Sequence, residues 1–335
     1  MTTLRSLLKF TSLLPVLASV SLWLAAPAAT SQSFPTKSVK IVVPFPPGNA
    51  SDVAARALAD KLGQRIGQTV IVENKAGAAG AIGAEFVAKS ASDGHTLMIT
   101  SLSPIVISPH INKALPYDAL KDFVPVARVG YTGMILVVPA SFPVNTVPEL
   151  ITYAKNNPGK LSYASVGAGT LSMLTMEVFK KSTQLDILHV PYKGSAQAMT
   201  DLIGGTVPLM FDGMTSSYSH VKSGKLKALA ISASKRSELA PEIPTLRDTG
   251  ISTLLDVSVD GWTGVFAPVG TPAAVVSYLN QEINKVLEDP EFKRRANGQS
   301  LDVYTPATPA QFQDYVRSEH ARWSSVIAPL KLEGN

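Results

Sequence analysis

From Phe34 onward, short β-branched runs alternate with Gly/Ser/Pro turns and with longer stretches whose apolar residues recur at helical spacing. The first unit has a strand over residues 39–43, a turn over 44–51 and a helix that carries Leu58 and Leu62. Repeated strand, turn and helix units of this kind predict a mostly parallel sheet with helices on its faces.

A second copy of this unit lies in the middle of the chain. It has a strand over residues 160–164, a turn over 165–170 and a helix that carries Leu174 and Phe179. Two copies of the same design predict two α/β lobes of similar build.

Two apolar, β-rich runs, residues 124–139 and 257–268, have prolines at their edges and no helical spacing. We expect each run to cross from one lobe to the other as an extended strand. Two crossings make the first lobe discontinuous. The predicted domains are therefore lobe 1, formed by residues 34–127 plus 264–335, and lobe 2, formed by residues 128–263.

The first thirty residues depart from the alternation. Arg5 and Lys9 precede an apolar run from about residue 13 to 26, and small residues follow at 26–28. This order is typical of a cleavable secretory signal, and the apolar run is shorter than the roughly 20 residues that span a bilayer. We expect residues 1–28 to be a signal peptide, whose removal lowers the formal net charge from +5 to +3. A periplasmic location follows from that expectation.

Composition excludes several classes of protein. The chain is 45% apolar and 16% charged, which is incompatible with intrinsic disorder. It has no cysteine, which removes disulfides, thiolate metal sites and thiol nucleophiles. The densest basic cluster, residues 293–295, is short and lacks interleaved aromatic residues, so no nucleic-acid partner is expected. The five histidines are isolated in the sequence, and we expect neither a metal nor a cofactor.

Two strand-to-helix turns carry the candidate binding chemistry, Pro-Pro-Gly-Asn-Ala-Ser-Asp at 46–52 and Ser-Val-Gly-Ala-Gly-Thr at 165–170. Ser51 or Asp52 is expected to cap the first helix, and Thr170 or Ser172 the second. Such turns direct uncommitted N–H groups and a positive helix end toward an anion. Neither turn has a known phosphate-binding motif, so a carboxylate is the more natural ligand. Ordinary turns without a ligand remain the alternative.

An enzymatic alternative also stays open. Ser165 lies in a sequence similar to a nucleophile elbow, except that Tyr163 replaces the first glycine, and Ser232 begins an S-x-x-K pattern. A secreted serine hydrolase would use one of these two serines. His189 fits a buried or strand-edge histidine better than a catalytic base. Asp212 either points into the cleft or forms an Asp-Gly turn.

The chain resembles the substrate-binding proteins of tripartite tricarboxylate transporters, the Bug family. The resemblance rests, in order, on residues 41–52, 72–80, 93–97, 190–194, 201–205, 243–245, 261–262 and 266–268. It implies a periplasmic binding fold of the second topological type that closes on its ligand by hinge motion. It also implies a non-enzymatic, monomeric protein that delivers a small carboxylate to a membrane permease with a large and a small subunit. A sensory protein that presents the carboxylate to a receptor fits the same sequence.

In this family the two strand-to-helix loops hold the ligand carboxylate, partly through ordered water. The resemblance therefore implies ligand contacts from both loops, by Gly48, Asn49 and Ser51 in lobe 1 and by Ser165, Gly167, Gly169 and Thr170 in lobe 2. Further residues are expected to shape the rest of the pocket, namely Ala78, Ser101, Tyr192, Ala196 and Asp212.

Two positions depart from the family pattern. Asn49 stands where the first loop usually has a second glycine, and Met173 stands where a histidine usually follows the second loop. A lost titratable donor and a gained apolar group favour an apolar or aromatic carboxylate over a highly charged tricarboxylate.

Overall fold

The computed structural model describes residues 34–233, 236–237, 239–257 and 259–330. The signal peptide expected over residues 1–28 lies outside the described residues. From Pro35 onward, the described chain forms one compact unit. None of the helices in these ranges is long and apolar enough to cross a membrane.

Strands and helices alternate along the described chain, as the apolar pattern predicts. The strands, labelled in chain order, are β1 (Val39–Val43), β2 (Val70–Asn74), β3 (Thr96–Ser101), β4 (Phe123–Pro139), β5 (Ser162–Ser165), β6 (Leu188–Pro191), β7 (Leu209–Gly213), β8 (Leu226–Ile231), β9 (Asp260–Pro268) and β10 (Asp302–Val303). The α-helices are α1 (Ala50–Ile66), α2 (Ala81–Ala88), α3 (Ser108–Ile111), α4 (Val147–Asn156), α5 (Leu171–Thr183), α6 (Ser195–Ile203), α7 (Met214–Lys222), α8 (Ala273–Glu288), α9 (Pro290–Asn297) and α10 (Pro309–Ile327). A π-helical turn over Ser103–Ile107 leads into α3.

The strands pair in the order β2-β1-β3-β9-β4-β7-β5-β6, and β8 and β10 also pair with β4. Strand β1 runs parallel to β2 and β3, and β5 runs parallel to β6 and β7. The long strands β4 and β9 run antiparallel to their partners. The predicted α/β class is confirmed, with two groups of parallel strands and antiparallel pairing between them.

Strand β4 belongs to both groups of strands. Its residues from Phe123 to Gly133 pair with β9, and those from Met134 to Pro139 pair with β7 and β8. The crossing predicted over residues 124–139 coincides with this strand. The second predicted crossing, over residues 257–268, contains β9, which pairs with β3 and β4. The lobe boundaries stay a prediction.

The parallel strands position the two candidate loops. Strand β1 is buried on both faces, as its run of valine and isoleucine residues predicts, and its carboxyl end leads through residues 44–49 into α1. Strand β5 leads in the same way through residues 166–170 into α5. Open α/β sheets place ligands at this edge, so both loops occupy the expected position.

An aromatic cluster holds α10 against β9. The ring centroids of Trp262 and Phe312 lie 5.8 Å apart, and those of Phe266 and Phe312 lie 5.2 Å apart. Gly264 lies in β9 beneath Phe312, and a Cβ built there would lie 2.3 Å from Phe312 Cζ. Only a residue without a side chain allows this approach of the helix to the sheet.

We expect Gly264→Ala to lower the free energy of unfolding by about 1–3 kcal/mol, because the added methyl group forces the Phe312 ring out of a close-packed position. Urea denaturation measures the loss. Phe312→Leu serves as the matched variant, since a smaller side chain vacates the space. The double variant should lose less free energy of unfolding than the sum of the two single-variant losses. Strictly additive losses would show that Gly264 and Phe312 do not compete for this space.

Candidate ligand-binding site

A cavity of about 1120 Å³ opens at the ends of β1 and β5. Four chain segments form most of its wall, residues 45–49, 76–80, 166–169 and 192–197. The remaining lining residues are Ser108, Ile111, Asn112, Leu115, Met199, Thr200, Ile203, Thr215, Ser216 and His220. Both candidate loops therefore face one cavity. Its volume lies slightly above the range of about 300–1,000 Å³ that is typical of small-molecule sites.

The first loop is held open by a compact network around Asp52. The Gly48 amide donates to Asp52 Oδ2 at 2.9 Å, and the Asp52 amide donates to Asn49 Oδ1 at 2.9 Å. Arg56 and Asn74 also donate to the Asp52 carboxylate. Burial acts to raise the pKa of Asp52, but these hydrogen bonds outweigh it and lower the pKa. The network keeps an ionised carboxylate behind the loop and leaves Asn49 as the residue that caps α1.

The N–H groups of the residues that follow Asn49 point out of the amino-terminal end of α1. Ala50 and Ser51 occupy the first turn of α1, where no carbonyl of the helix can accept from their N–H groups. Gly48 adopts a left-handed φ of +89°, which a side chain would disfavour. The loop thus presents the positive end of a 17-residue helix toward the cavity.

The second loop repeats this arrangement with a different cap. Gly167 and Gly169 have φ values of +120° and +74°, and Thr170 caps α5. Thr170 Oγ1 donates to the Gly167 carbonyl at 2.7 Å and accepts from the Met173 amide at 3.5 Å. The Leu171 amide is taken by Ser103 Oγ at 3.2 Å. The glycine backbone of the loop remains in the wall of the cavity.

A third loop completes the wall between them. Gly77 and Gly80, and also Ala78 and Ala79, have positive φ values. Alanine rarely adopts this conformation, so the surrounding structure must enforce it. The turn packs closely against Pro104, because a Cβ built at Gly80 would lie 2.8 Å from Pro104 Cγ. Glycine permits this approach.

The loops approach one another across the cavity. A Cβ built at Gly169 would lie 3.7 Å from Ser108 Oγ, and one built at Gly194 would lie 3.2 Å from Pro46 Cγ. Segments from both groups of strands thus come close at the rim of the cavity.

The structure brings most of the predicted site residues to this cavity. Seven of them line it, namely Gly48, Asn49, Ala78, Gly167, Gly169, Tyr192 and Ala196. The others lie outside the lining, namely Ser51, Ser101, Ser165, Thr170 and Asp212. Their role in ligand binding stays a prediction.

Each of the residues outside the lining has a structural role or a buried position. The Ser51 hydroxyl is buried without a hydrogen-bond partner, and Asn49 rather than Ser51 or Asp52 provides the cap of α1. Ser101 ends β3, where its hydroxyl lies 3.5 Å from the Ser103 amide. Thr170 is committed to the cap of α5. Met173, expected to bring an apolar group to the pocket, is buried in the core instead.

The two candidate nucleophiles are buried and lie outside the cavity lining. Ser165 Oγ lies 2.7 Å from His189 Nε2, but Ser165 is fully buried. The His189 ring stacks on Tyr163, and its burial lowers the pKa of the imidazole. Ser232 Oγ donates to the Val259 carbonyl at 2.9 Å, inside the structure. Lys235 of the S-x-x-K pattern lies outside the described residues.

Sequence reasoning missed several lining residues. Ser108 and Ile111 reach the cavity from α3, and Leu115 reaches it from the segment that follows. The π-helical turn that leads into α3 has no local sequence signal. Ser195 and Ser216 come from the starts of α6 and α7. The turns that precede those helices carry glycine, as the two recognised loops do, and that signal would have found them.

The described residues contain no group of three histidine, aspartate or glutamate side chains that could hold a metal ion. The described cavity lining includes no aspartate or glutamate, and Lys193 is its one ammonium group. The site is therefore built mainly from amides, hydroxyls and apolar side chains, with Lys193 and His220 as its basic residues.

Two groups of parallel strands, joined by long strands and with helix starts converging on one cavity, define a periplasmic binding protein. A family model described as "Tripartite tricarboxylate transporter family receptor" (TctC) matches residues 54–332. Protein BugT of Bordetella pertussis is 36% identical over 307 residues, which are 91% of this chain and 92% of BugT. This chain therefore belongs to the TctC family of tripartite tricarboxylate transporter receptors, the Bug proteins.

Solved structures agree with this assignment. The periplasmic binding protein BugD has a TM-score of 0.84 and 34% identity, with 90% of this chain and 100% of BugD covered. An R. palustris protein solved with adipate has a TM-score of 0.84 and 32% identity, with 89% and 98% covered. MatC of Rhodopseudomonas palustris, solved with bound malate, has a TM-score of 0.82 and 31% identity, with 88% and 100% covered.

The predicted periplasmic binding fold is confirmed by these matches. Proteins of this family bind solutes and are not enzymes, so the hydrolase alternative is set aside. Family membership also implies a periplasmic location.

A histidine pair holds the wall segment α3 against α10. The rings of His110 and His320 lie 4.2 Å apart, and His110 Nε2 lies 3.0 Å from the His320 carbonyl oxygen. Burial lowers the pKa of His110, although its contact with that carbonyl acts in the opposite direction. Burial and the neighbouring His110 lower the pKa of His320. The folded protein thus favours two neutral rings.

We expect the melting temperature to decrease as the pH is lowered from 7.5 to 5. Because both pKa values are lowered on folding, the unfolded chain binds more protons below about pH 6.5. The contribution of this pair is therefore present above that pH and is lost as the pH falls through the folded-state values. His320→Phe keeps an aromatic ring beside His110 but cannot be charged, and differential scanning fluorimetry should show a smaller acid-induced drop in melting temperature. An identical drop in the two proteins would contradict the assignment.

Proposed function

We propose that this protein captures a small carboxylate with an apolar or aromatic body in the periplasm and delivers it to the membrane permease of a tripartite transporter. The observation that carries the proposal is the convergence of two glycine loops and their helix starts on one cavity without acidic side chains in its described lining. Backbone amides at helix starts are strong anion donors.

The apolar part of the proposed ligand follows from the rest of the lining. Phe45, Ile111, Leu115, Met199 and Ile203 all contribute to the cavity wall. Burial of an apolar ligand surface against such residues stabilises the complex by about 25 cal/mol per Å². These side chains support the expectation that was first based on Met173.

The charges around the cavity favour an anionic ligand, although no cationic side chain among the described residues is dedicated to holding it. The absence of carboxylates from the described lining removes repulsion, and Lys193 lies exposed at the cavity. A micromolar affinity requires about 8 kcal/mol. Charge-assisted hydrogen bonds contribute about 1.5–3 kcal/mol each, so about four amide contacts meet this requirement with some apolar burial.

Two structural relatives support the carboxylate class, since their structures contain adipate and malate. Both molecules carry carboxylates on a short aliphatic body. We propose the same chemistry for the cavity described above, with the carboxylate at the two glycine loops. The large and small permease subunits recognise the ligand-bound, closed form, because one carboxylate that contacts both loops stabilises closure. The binding protein acts as a monomer, exported with a cleaved signal peptide over residues 1–28.

An exchange at Asn49 separates anion binding from helix capping. Asn49→Asp retains a good N-cap side chain but adds a negative charge to the cavity wall, so we expect at least tenfold weaker binding of carboxylates. Asn49→Ser is the matched control, because serine also caps and stays neutral. Isothermal titration against a panel of mono- and dicarboxylates measures both. Equal affinities of the Asp and Ser variants would place the carboxylate away from the first loop.

The second loop is tested by filling the cavity. Ala168 lines the cavity and is exposed, so Ala168→Trp adds bulk without removing a cap. We expect this variant to lose detectable carboxylate binding while its melting temperature stays close to that of the parent. Ala91→Trp is the control, because Ala91 is exposed and outside the cavity lining. Unchanged binding by the Ala168 variant would contradict the proposed position of the ligand.

A further inference from the structure

A buried carboxylate lies directly behind the cavity wall formed by α6 and α7. Asp212 ends the apolar strand β7 and is 3% exposed. Three serine hydroxyls donate to it, from Ser195 at 2.8 Å, from Ser216 at 2.5 Å and from Ser217 at 2.9 Å. No cation is among its described partners.

The direction of these hydrogen bonds decides what the serines offer to the cavity. A hydroxyl carries one hydrogen and two lone pairs, so a serine that donates to Asp212 has only acceptor capacity left. Ser195 and Ser216 line the cavity, whereas Ser217 is fully buried outside the lining. We call Ser195 and Ser216 the acceptor wall. Both residues contribute to the cavity wall, and the carboxylate that accepts from their hydroxyls increases the negative character of the hydroxyl oxygens.

The pKa of Asp212 is raised above its usual value, and its role as an acceptor rests on the geometry of its hydrogen bonds. Burial raises the pKa of Asp212, while hydrogen bonds from the three serines and from the Gly213 amide oppose this rise. Four donors converge on two carboxylate oxygens, and both oxygens accept. A protonated carboxyl would have to reverse at least one of these hydrogen bonds.

The acceptor wall lies beside the first glycine loop. Ser195 directly follows Gly194, whose built Cβ would be 3.2 Å from Pro46 Cγ. Pro46 belongs to the loop that ends in Asn49, so donors and acceptors of opposite character meet within one cavity. A ligand held by its carboxylate at the glycine loops therefore has acceptor oxygens within the same enclosure.

We propose that Ser195 and Ser216 form a second subsite that accepts a hydrogen bond from the ligand. The preferred ligand then carries a hydroxyl, ammonium or amide N–H group in addition to its carboxylate, as hydroxy acids and amino acids do. This inference rests on the proposed carboxylate-binding function and names the substrate class of that same site.

Pairs of acids that differ by one donor test the proposal. Malate and succinate differ by one hydroxyl, and 3-hydroxybenzoate and benzoate form a second pair with an aromatic body. Isothermal titration of the unaltered protein should show the hydroxylated member of at least one pair binding about tenfold more tightly. This comparison needs no variant, so it remains decisive even if a substitution disturbs folding.

Three alanine variants locate the source of the preference. Ser195→Ala and Ser216→Ala should each lower the affinity ratio between the hydroxylated and the unsubstituted acid of a pair several-fold. Ser217→Ala is the matched control, because it removes an equivalent hydrogen bond to Asp212 from a serine outside the cavity. It should retain the parental ratio. Melting curves confirm that each variant is folded.

The outcomes separate this inference from the proposed function. If carboxylates bind but neither pair shows a preference, the acceptor wall does not recognise ligands and Asp212 serves only the helix starts. Retention of the preference in both the Ser195 and Ser216 variants overturns the assignment in the same way. If no carboxylate of the wider panel binds, the proposed function and the second subsite both fail.

Discussion

The proposed mode of ligand binding depends on helix starts whose backbone N–H groups stay available to the cavity. Each capping side chain accepts a hydrogen bond from one or more of these N–H groups. At α1 the side chain of Asn49 takes the Asp52 amide, and Asp52 takes the amide of Gly48. At α5, Thr170 and Ser103 each take one amide. Because an amide bonded to a side chain contributes little to an external anion, the caps determine how many donors remain. In the proposed binding mode, capping geometry therefore sets the anion affinity of the site, with few charged groups involved.

Much of the fold could be predicted from the sequence because its signals are local. Buried β-branched runs such as β1 and the glycine turns at residues 44–49 and 166–170 depend on neighbouring residues only, and both turns contribute to the wall of the cavity. Their role as an anion site stays a prediction. The direction of a side chain depends on contacts that are distant in sequence. Ser103 Oγ accepts from the Leu171 amide although the two residues are 68 positions apart in the sequence. The spacing of residue types along the chain cannot predict such a contact. For the same reason, Met173 was expected at the pocket but packs into the core.

Neutral residues dominate the described cavity lining, and the charges lie one layer further back. Asp52 stands behind the first loop and Asp212 behind α6 and α7, each with its oxygens occupied by donors. A buried carboxylate is costly unless it is fully hydrogen-bonded, so each of these residues rigidifies the segment that surrounds it. The wall is thereby oriented before a ligand arrives, which lowers the ordering cost of binding.

The position of β9 in the sheet has a consequence for when the protein can fold. This strand lies between β3 and β4, although it follows β4 by more than a hundred residues in the sequence. The sheet around β1 is therefore incomplete until Pro268 is present. A chain that enters the periplasm with its amino terminus first cannot close this sheet early, because β9 is still in transit. Late closure of this kind leaves the sheet around β1 unfolded during export. Its native packing is postponed to the periplasm, where the ligand is bound.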